Sequence, residues 1–89
     1  MSDIGVQIQV VHGQVRDHHG IAFAGNNAVP AKTGEPAKIR ITVRDWNSSD
    51  ELNLTLREGE TFQIAGQTWR LDKIYEDPRR WCADLTRIA

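Results

Sequence analysis

The chain contains a single cysteine, Cys82, and this scarcity excludes an internal disulfide and any cysteine-rich zinc site. A lone thiol fits a reducing compartment. Long apolar runs are missing too: residues 1–13 show no basic stretch followed by a continuous hydrophobic segment, and nothing approaches the ~20 apolar residues that span a bilayer. We therefore predict a cytoplasmic protein without a membrane partner, and we interpret Cys82 as a structural thiol because the sequence shows no activating base beside it.

Neither sign of charge dominates the chain. The 11 basic and 12 acidic residues are interspersed and sum to a net charge of −1. Binding to a phosphate backbone needs a concentrated positive field, so we expect no nucleic acid partner. The 89 residues allow one domain, residues 1–89, and a chain of this size buries only about 60–65% of its unfolded surface. Self-association would bury additional surface and so add stability.

Apolar and polar residues alternate along the carboxyl-terminal half in four short runs. The apolar positions are Leu52, Leu54 and Leu56; Phe62 and Ile64; Trp69 and Leu71; and Trp81, Ala83 and Leu85. Turn signals at Glu58-Gly59, at Ala65-Gly66-Gln67 and at Asp77-Pro78 separate the runs. A period of two predicts strands with one buried face. Because the connections are short, we expect the four strands to form a meander.

Three further strands are predicted upstream. The first covers residues 4–11, with Ile4, Val6, Ile8 and Val10 inward, and ends at His12-Gly13. A weaker candidate at residues 14–24 should contain a turn or bulge around Asp17-His18-His19-Gly20. The cleanest alternation runs from Lys38 to Asp45. Two prolines, two glycines and an asparagine pair predict that Gly25 to Pro36 is the longest loop.

One irregularity is predicted inside a strand. Trp69 and Leu71 share one parity and Ile74 has the other, so a bulge near Asp72-Lys73 would return Ile74 to the core. No helical period of useful length is present. The fold class is therefore all-β, either a small antiparallel barrel or a two-layer β-sandwich of six to seven strands with a meander-rich carboxyl-terminal half. Both closed forms hide the apolar faces that an open sheet would expose.

The carboxyl-terminal part of the chain also resembles a known family. The segments that carry the likeness are Leu56–Phe62, Gly66–Ile74 and Trp81–Arg87. Together they are similar to a family of short, uncharacterised bacterial all-β proteins. The resemblance implies core and turn roles for these positions and no activity, cofactor or catalytic residue.

Candidate catalytic residues concentrate in one segment: His12, Arg16, Asp17, His18 and His19. In an extended strand Asp17 and His19 would lie on one face and His18 on the other. Two histidines and an aspartate could hold a divalent ion. Alternatively, His18 or His19 could act as a general acid or base oriented by Asp17. Polar residues beside a glycine are also typical of a solvated turn, which we favour, so we expect no metal and no cofactor.

Candidate binding residues lie on and beside the Lys38–Asp45 strand. Lys38, Arg40 and Arg44 alternate with its apolar residues and form a cationic stripe that could meet an acidic partner, although a wet sheet face is commonly charged. Further cations could join the stripe from neighbouring strands: Arg57, Arg70 and Arg87. Trp46 is predicted to be a surface aromatic because it follows the strand and precedes a polar loop. Trp81 is predicted to be a core residue because it shares parity with Ala83 and Leu85.

These patterns favour a non-catalytic protein-interaction or accessory module that binds a protein partner or a second copy of itself. The alternative is a small-molecule-binding protein or compact enzyme with a His/Asp site in residues 12–19 and the long loop. A domain that only supports a larger assembly is a third possibility.

Overall fold

A computed structural model of the chain describes residues 4–76 and 80–89, and this part folds as eight β-strands. They are β1 (Gln7–Val11), β2 (Val15–His18), β3 (Ile21–Val29), β4 (Lys38–Asp45), β5 (Glu51–Arg57), β6 (Thr61–Ile64), β7 (Gln67–Tyr75) and β8 (Cys82–Arg87). Sheet I has the order β1-β8-β7-β6 and sheet II the order β2-β3-β4-β5, with every neighbour antiparallel. The predicted all-β class is confirmed, and the arrangement is the two-layer sandwich.

Residues of alternate parity from both sheets form one core. The largest fully buried side chains are Trp69, Phe23, Ile21, Ile39, Ile41, Leu71, Leu85, Val10 and Val43. The rings of Phe23 and Trp69 meet edge to face with centroids 5.1 Å apart, which joins sheet II to sheet I. Trp81 is 5% exposed, so its predicted place in the core is confirmed. The predicted bulge also occurs, because the register shifts between Leu71 and Lys73 and Ile74 returns to the core.

Several boundaries differ from the sequence prediction. The 14–24 candidate is two strands, β2 and β3, joined by the expected turn at His19-Gly20, so the described residues contain eight strands rather than seven. Gly25 to Val29 continues β3 and is not loop, because a bulge between Gly25 and Asn27 keeps Ala28 against the core. Ile4 is 58% exposed and β1 begins only at Gln7.

The carboxyl-terminal meander is shorter than predicted. Strands β6, β7 and β8 follow one another in sheet I, but β5 pairs with β4 in sheet II. The Glu58-Gly59 turn therefore crosses between sheets, where the N–H of Gly59 donates to the carbonyl of Leu71 at 2.7 Å. The Ala65-Gly66 turn is confirmed, with φ of 53° and 72° as in a type I′ hairpin. The Asp77-Pro78 turn lies outside the described residues.

One side of the sandwich is closed by hydrogen bonds between the sheets. As the chain passes from β1 to β2, the N–H of His12 donates to the carbonyl of Trp81 at 3.0 Å, and the N–H of Gly13 donates to the carbonyl of Gly25 at 2.9 Å. The N–H of Gly25 in turn donates to the carbonyl of Gln14 at 3.1 Å. This crossing fulfils the prediction that His12-Gly13 ends the first strand. It leaves β5 and β6 as the edges on the opposite side.

Within the described residues, no helix has both the length and the apolar character required to cross a lipid bilayer.

Candidate functional site

The cationic stripe lies on the outer face of sheet II, where the two-residue period of β4 places it. Lys38, Arg40 and Arg44 point away from the core, opposite to Ile39, Ile41 and Val43. Arg40 and Arg44 are exposed, while Lys38 is half-buried. The structure therefore brings three of the predicted binding residues onto one face, and each keeps its charge toward water.

A row of hydrogen-bonded polar side chains divides this stripe. The hydroxyl of Thr42 accepts a hydrogen bond from Asn26 Nδ2 at 2.8 Å and donates to Asn53 Oδ1 at 2.9 Å. The row spans β3, β4 and β5, and it separates Arg40 from Arg44. The face thus consists of two cationic parts rather than one continuous patch.

The part that contains Lys38 and Arg40 is flanked by another cation. Arg57 is the cross-strand partner of Lys38, and its own charge lies 3.7 Å from Glu60. Of the three arginines expected to join the stripe, only Arg57 does so. Arg70 and Arg87 lie on β7 and β8 in sheet I, because the chain passes from sheet II to sheet I at the turn between β5 and β6.

The other part is a corner formed by Arg44 and Trp46. Trp46 is 59% exposed, and the guanidinium carbon of Arg44 lies 4.4 Å from the centroid of its ring. This is a cation–π contact, worth roughly 0.5–1 kcal/mol at an exposed site. Glu51, across the strand pair, lies 4.0 Å from the Arg44 side chain. We call Arg44 and Trp46 together the Arg44–Trp46 corner.

Asp45 holds this corner in place. It is 5% exposed, and its carboxylate accepts hydrogen bonds from the N–H of Asn47 at 3.0 Å and from the hydroxyl of Ser48 at 2.8 Å. The N–H of Trp46 donates to the carbonyl of Gly20 at 3.0 Å in the neighbouring β2–β3 turn. The N–H of Trp46 and the turn that follows it are therefore held by hydrogen bonds while the Trp46 ring faces water.

Sequence reasoning missed the role of Asp45. A carboxylate at the core parity of β4, followed three positions later by a serine, is a pattern typical of an aspartate that organises the next turn. That pattern would have predicted a rigid turn after β4, in place of a loose polar connection.

The predicted catalytic residues do not form one group. The rings of His18 and His19 meet at 4.3 Å, and His18 also packs edge-on against the core residue Trp69 at 5.8 Å. Asp17 is exposed on β2, and His12 stacks on Trp81 at 5.9 Å where the chain crosses between the sheets. His12 and His18 therefore pack against two different core tryptophans, Trp81 and Trp69. A search of residues 4–76 and 80–89 finds no cluster of three His, Cys, Asp or Glu side chains that could hold a metal ion.

A cleft of about 620 Å³ lies at another place, where the loop after β3 meets the β5–β6 turn and the end of β7. It is lined by Ala31, Pro36, Ala37, Arg57, Glu58, Glu60, Ile74 and Glu76. Each glutamate accepts a backbone hydrogen bond: Glu58 from Ile74, Glu60 from Arg57 and Glu76 from Ala31. These carboxylates join the surrounding loops, and none of the predicted catalytic residues lines the cleft.

The outer face of sheet I carries two carboxylates that sequence reasoning did not single out. Asp72 accepts hydrogen bonds from Thr86, from Arg70 at 2.6 Å and from Gln7 at 3.4 Å. Burial alone would raise the pKa of Asp72, but these hydrogen bonds and the Arg70 charge together lower it. The second carboxylate, on Asp84, accepts a hydrogen bond from Tyr75 and so raises the pKa of that phenol. The half-buried thiol of Cys82 lies across from Tyr75.

The Asp72 network predicts a pH dependence of stability. Because the pKa is lower in the folded state, the carboxylate stabilises the fold above the unfolded value of about 3.9, and this contribution is lost as the pH falls through the folded value. Asp72→Asn should lower the free energy of unfolding at pH 7 by at most about 1 kcal/mol and flatten its decline below about pH 4. Urea unfolding between about pH 2 and pH 7 measures this. Asp50→Asn, which removes an exposed carboxylate, is the control. The prediction is contradicted if the free energy of unfolding declines below about pH 4 as steeply in Asp72→Asn as in Asp50→Asn.

In fold and surface, this molecule is a small antiparallel β-sandwich with a rigid cation–aromatic corner on one face. The chain belongs to DUF6406, a family of unknown function, whose model matches residues 5–89. The matched region includes the carboxyl-terminal segments that resemble a family of uncharacterised proteins, whereas the identity of that family and a bacterial source stay predictions. Neither a curated protein nor a solved structure matches the chain.

Proposed function

We propose that this protein is a non-catalytic interaction module of the cytoplasm that binds an acidic protein surface through the Arg44–Trp46 corner. One observation carries the proposal: Trp46 presents 59% of its surface to water, although its own N–H and the N–H of Asn47 are both hydrogen-bonded. An exposed indole on a rigid turn loses little conformational entropy on binding. Tryptophan and arginine are also the residues most enriched among those that dominate binding energy.

The charges around the corner define the partner. Arg40 and Arg44 face water on the same strand, and the only carboxylate recorded within 4.0 Å of either in the described residues is that of Glu51. An acidic surface would therefore gain from both guanidinium groups, and the indole would fill an apolar pocket beside them. The single cysteine is the reason to place the module in a reducing compartment.

Capture of partners from cell extract tests this proposal. With the purified protein as bait and partners identified by mass spectrometry, Trp46→Ala should weaken binding of the principal partner by about 2 kcal/mol or more, roughly 30-fold. Arg40→Glu with Arg44→Glu should weaken it further and reduce the association rate, because both long-range attraction and contact are lost. Calorimetry with the identified partner measures the binding free energy, and surface plasmon resonance measures the association rate.

A matched charge reversal serves as the control. Lys32→Glu with Lys73→Glu changes the net charge equally but alters the loop after β3 and sheet I, away from the corner. It should leave binding within about twofold. Equal recovery of the partner by the wild type and the Arg40/Arg44 variant, or equal loss in both double variants, would refute the corner as the binding surface.

A further inference from the structure

Among residues 4–76 and 80–89, no strand pairs with the outer edge of β5. β5 has seven residues, whereas the other edge strands β1, β2 and β6 have five, four and four. Leu52 and Leu54 pack against the core but are only half-buried. The strand contains no proline, no lysine and no inward charge, which are the usual devices that keep an edge from pairing.

The hydrogen-bonding direction of each β5 residue follows from its pairing with β4. The N–H of Asp45 donates to the carbonyl of Asp50, its partner across the strand pair. Because hydrogen-bonded pairs alternate along an antiparallel ladder, the backbone N–H and C=O groups of Leu52, Leu54 and Leu56 face β4. The backbone groups of Asn53 and Thr55 therefore face the outer edge of β5, where the described residues contain no neighbouring strand. The N–H of Arg57 is already occupied by Glu60 at 2.7 Å.

The sequence of this strand is complementary to itself in the antiparallel direction. When two copies of Glu51–Arg57 are paired about Leu54, Glu51 falls opposite Arg57, Leu52 opposite Leu56, and Asn53 opposite Thr55. Asn53 and Thr55 are the residues whose backbone groups face outward, so this register also satisfies about four backbone hydrogen bonds. Leu54 meets its own copy at a non-hydrogen-bonded position, where side chains approach most closely.

We infer that β5 pairs with the β5 strand of a second copy of this chain about a two-fold axis through Leu54, which joins the two copies of sheet II into one continuous sheet. The axis runs normal to the sheet, so the half-buried leucines of both copies come together on the core side. The charges select this register over a shift by two residues, because only here does each Glu51 face an Arg57. This edge is distinct from the Arg44–Trp46 corner, and the inference stands whether or not the corner binds a partner.

Sedimentation over a range of protein concentrations, roughly 1 μM to 1 mM, tests the inference on the full chain. The wild type should pass from monomer to twice the monomer mass. Thr55→Pro should shift the midpoint at least tenfold upward, because it removes an N–H that faces the outer edge of β5. Thr55→Ala keeps that N–H and should dimerise as the wild type does. A wild type that stays monomeric throughout, or a Thr55→Pro variant that dimerises normally, would overturn it.

Charge exchange tests the register without altering the backbone. In a dimer of the Glu51→Lys variant, a lysine would face Arg57 at both ends of the paired strands. In a dimer of the Arg57→Glu variant, a glutamate would face Glu51 at both ends. Each variant should dimerise at least tenfold more weakly than the wild type, whereas an equimolar mixture of the two should form a heterodimer in which every pair is again opposite in charge. Circular dichroism confirms that each variant is folded. Failure of the mixture to associate more tightly than its folded components would refute this register.

Discussion

Replacing Trp69 with alanine is expected to lower the free energy of unfolding by about 3–5 kcal/mol, the usual cost of removing a buried tryptophan. Trp69 is fully buried and meets Phe23 from the other sheet and His18 from β2. Its indole N–H donates to the side-chain oxygen of Gln67 at 3.1 Å, so the substitution also removes a hydrogen bond. Because small domains have total stabilities of only about 5–15 kcal/mol, this loss is a large fraction of the whole.

The matched control is the same change at the surface. Trp46→Ala removes an indole of equal size, but the ring is largely in water, so its effect on unfolding should stay within about 0.5–1 kcal/mol. Urea unfolding followed by circular dichroism measures both variants without relying on tryptophan fluorescence. If the two substitutions lowered stability equally, the assignment of Trp69 to the core and Trp46 to the surface would be wrong.

Gly25→Ala is expected to destabilise the fold by about 1–3 kcal/mol. A β-carbon built at this position would lie 2.6 Å from the carbonyl oxygen of Val11 and 3.2 Å from the Trp81 ring. The nearer atom belongs to the backbone at the β1–β2 crossing, so it cannot move aside as the end of a flexible side chain would. Both the crossing and the Trp81 packing would have to shift.

The sign of this effect is diagnostic. In an ordinary strand interior, alanine is favoured over glycine by roughly 0.5–1 kcal/mol, because glycine loses more backbone freedom on folding. Ala24→Gly, at the neighbouring position of the same strand, measures the usual difference in stability between alanine and glycine. Thermal and urea unfolding of both variants decide the matter, and a Gly25→Ala protein more stable than the wild type would show that the sheets do not approach each other closely here.

Much of the fold could be predicted from the two-residue period alone. Lys38 to Asp45 and the runs at Phe62, Trp69 and Trp81 became strands with the expected faces inward, because burial of alternate residues is a local property that the sequence displays directly. The assignment of β5 to sheet II could not be predicted, since the same alternation suits either sheet. The extension of β3 through Gly25 depends on a long-range contact with Val11, which no local pattern contains.

The candidate site could be predicted only in part. Trp46 was recognised as a surface aromatic because it follows the last strand residue, and the structure places it there. Its contact with Arg44 follows from the sharp turn that Asp45 organises. The segment around His18 and His19 has suitable residue types for chemistry, but which atoms converge depends on tertiary packing. Here the two rings contact each other, and the His18 ring also contacts Trp69.

The pairing of β1 with β8 has a consequence for how the chain acquires its structure. Gln9 and Asp84 are 75 positions apart, yet they lie side by side on neighbouring strands. The first strand therefore has no partner in its own sheet until residues 82–87 are present. Topologies dominated by such distant pairings fold slowly, typically in milliseconds to seconds. During that interval, unpaired strand edges and exposed apolar surface favour association with other nascent chains.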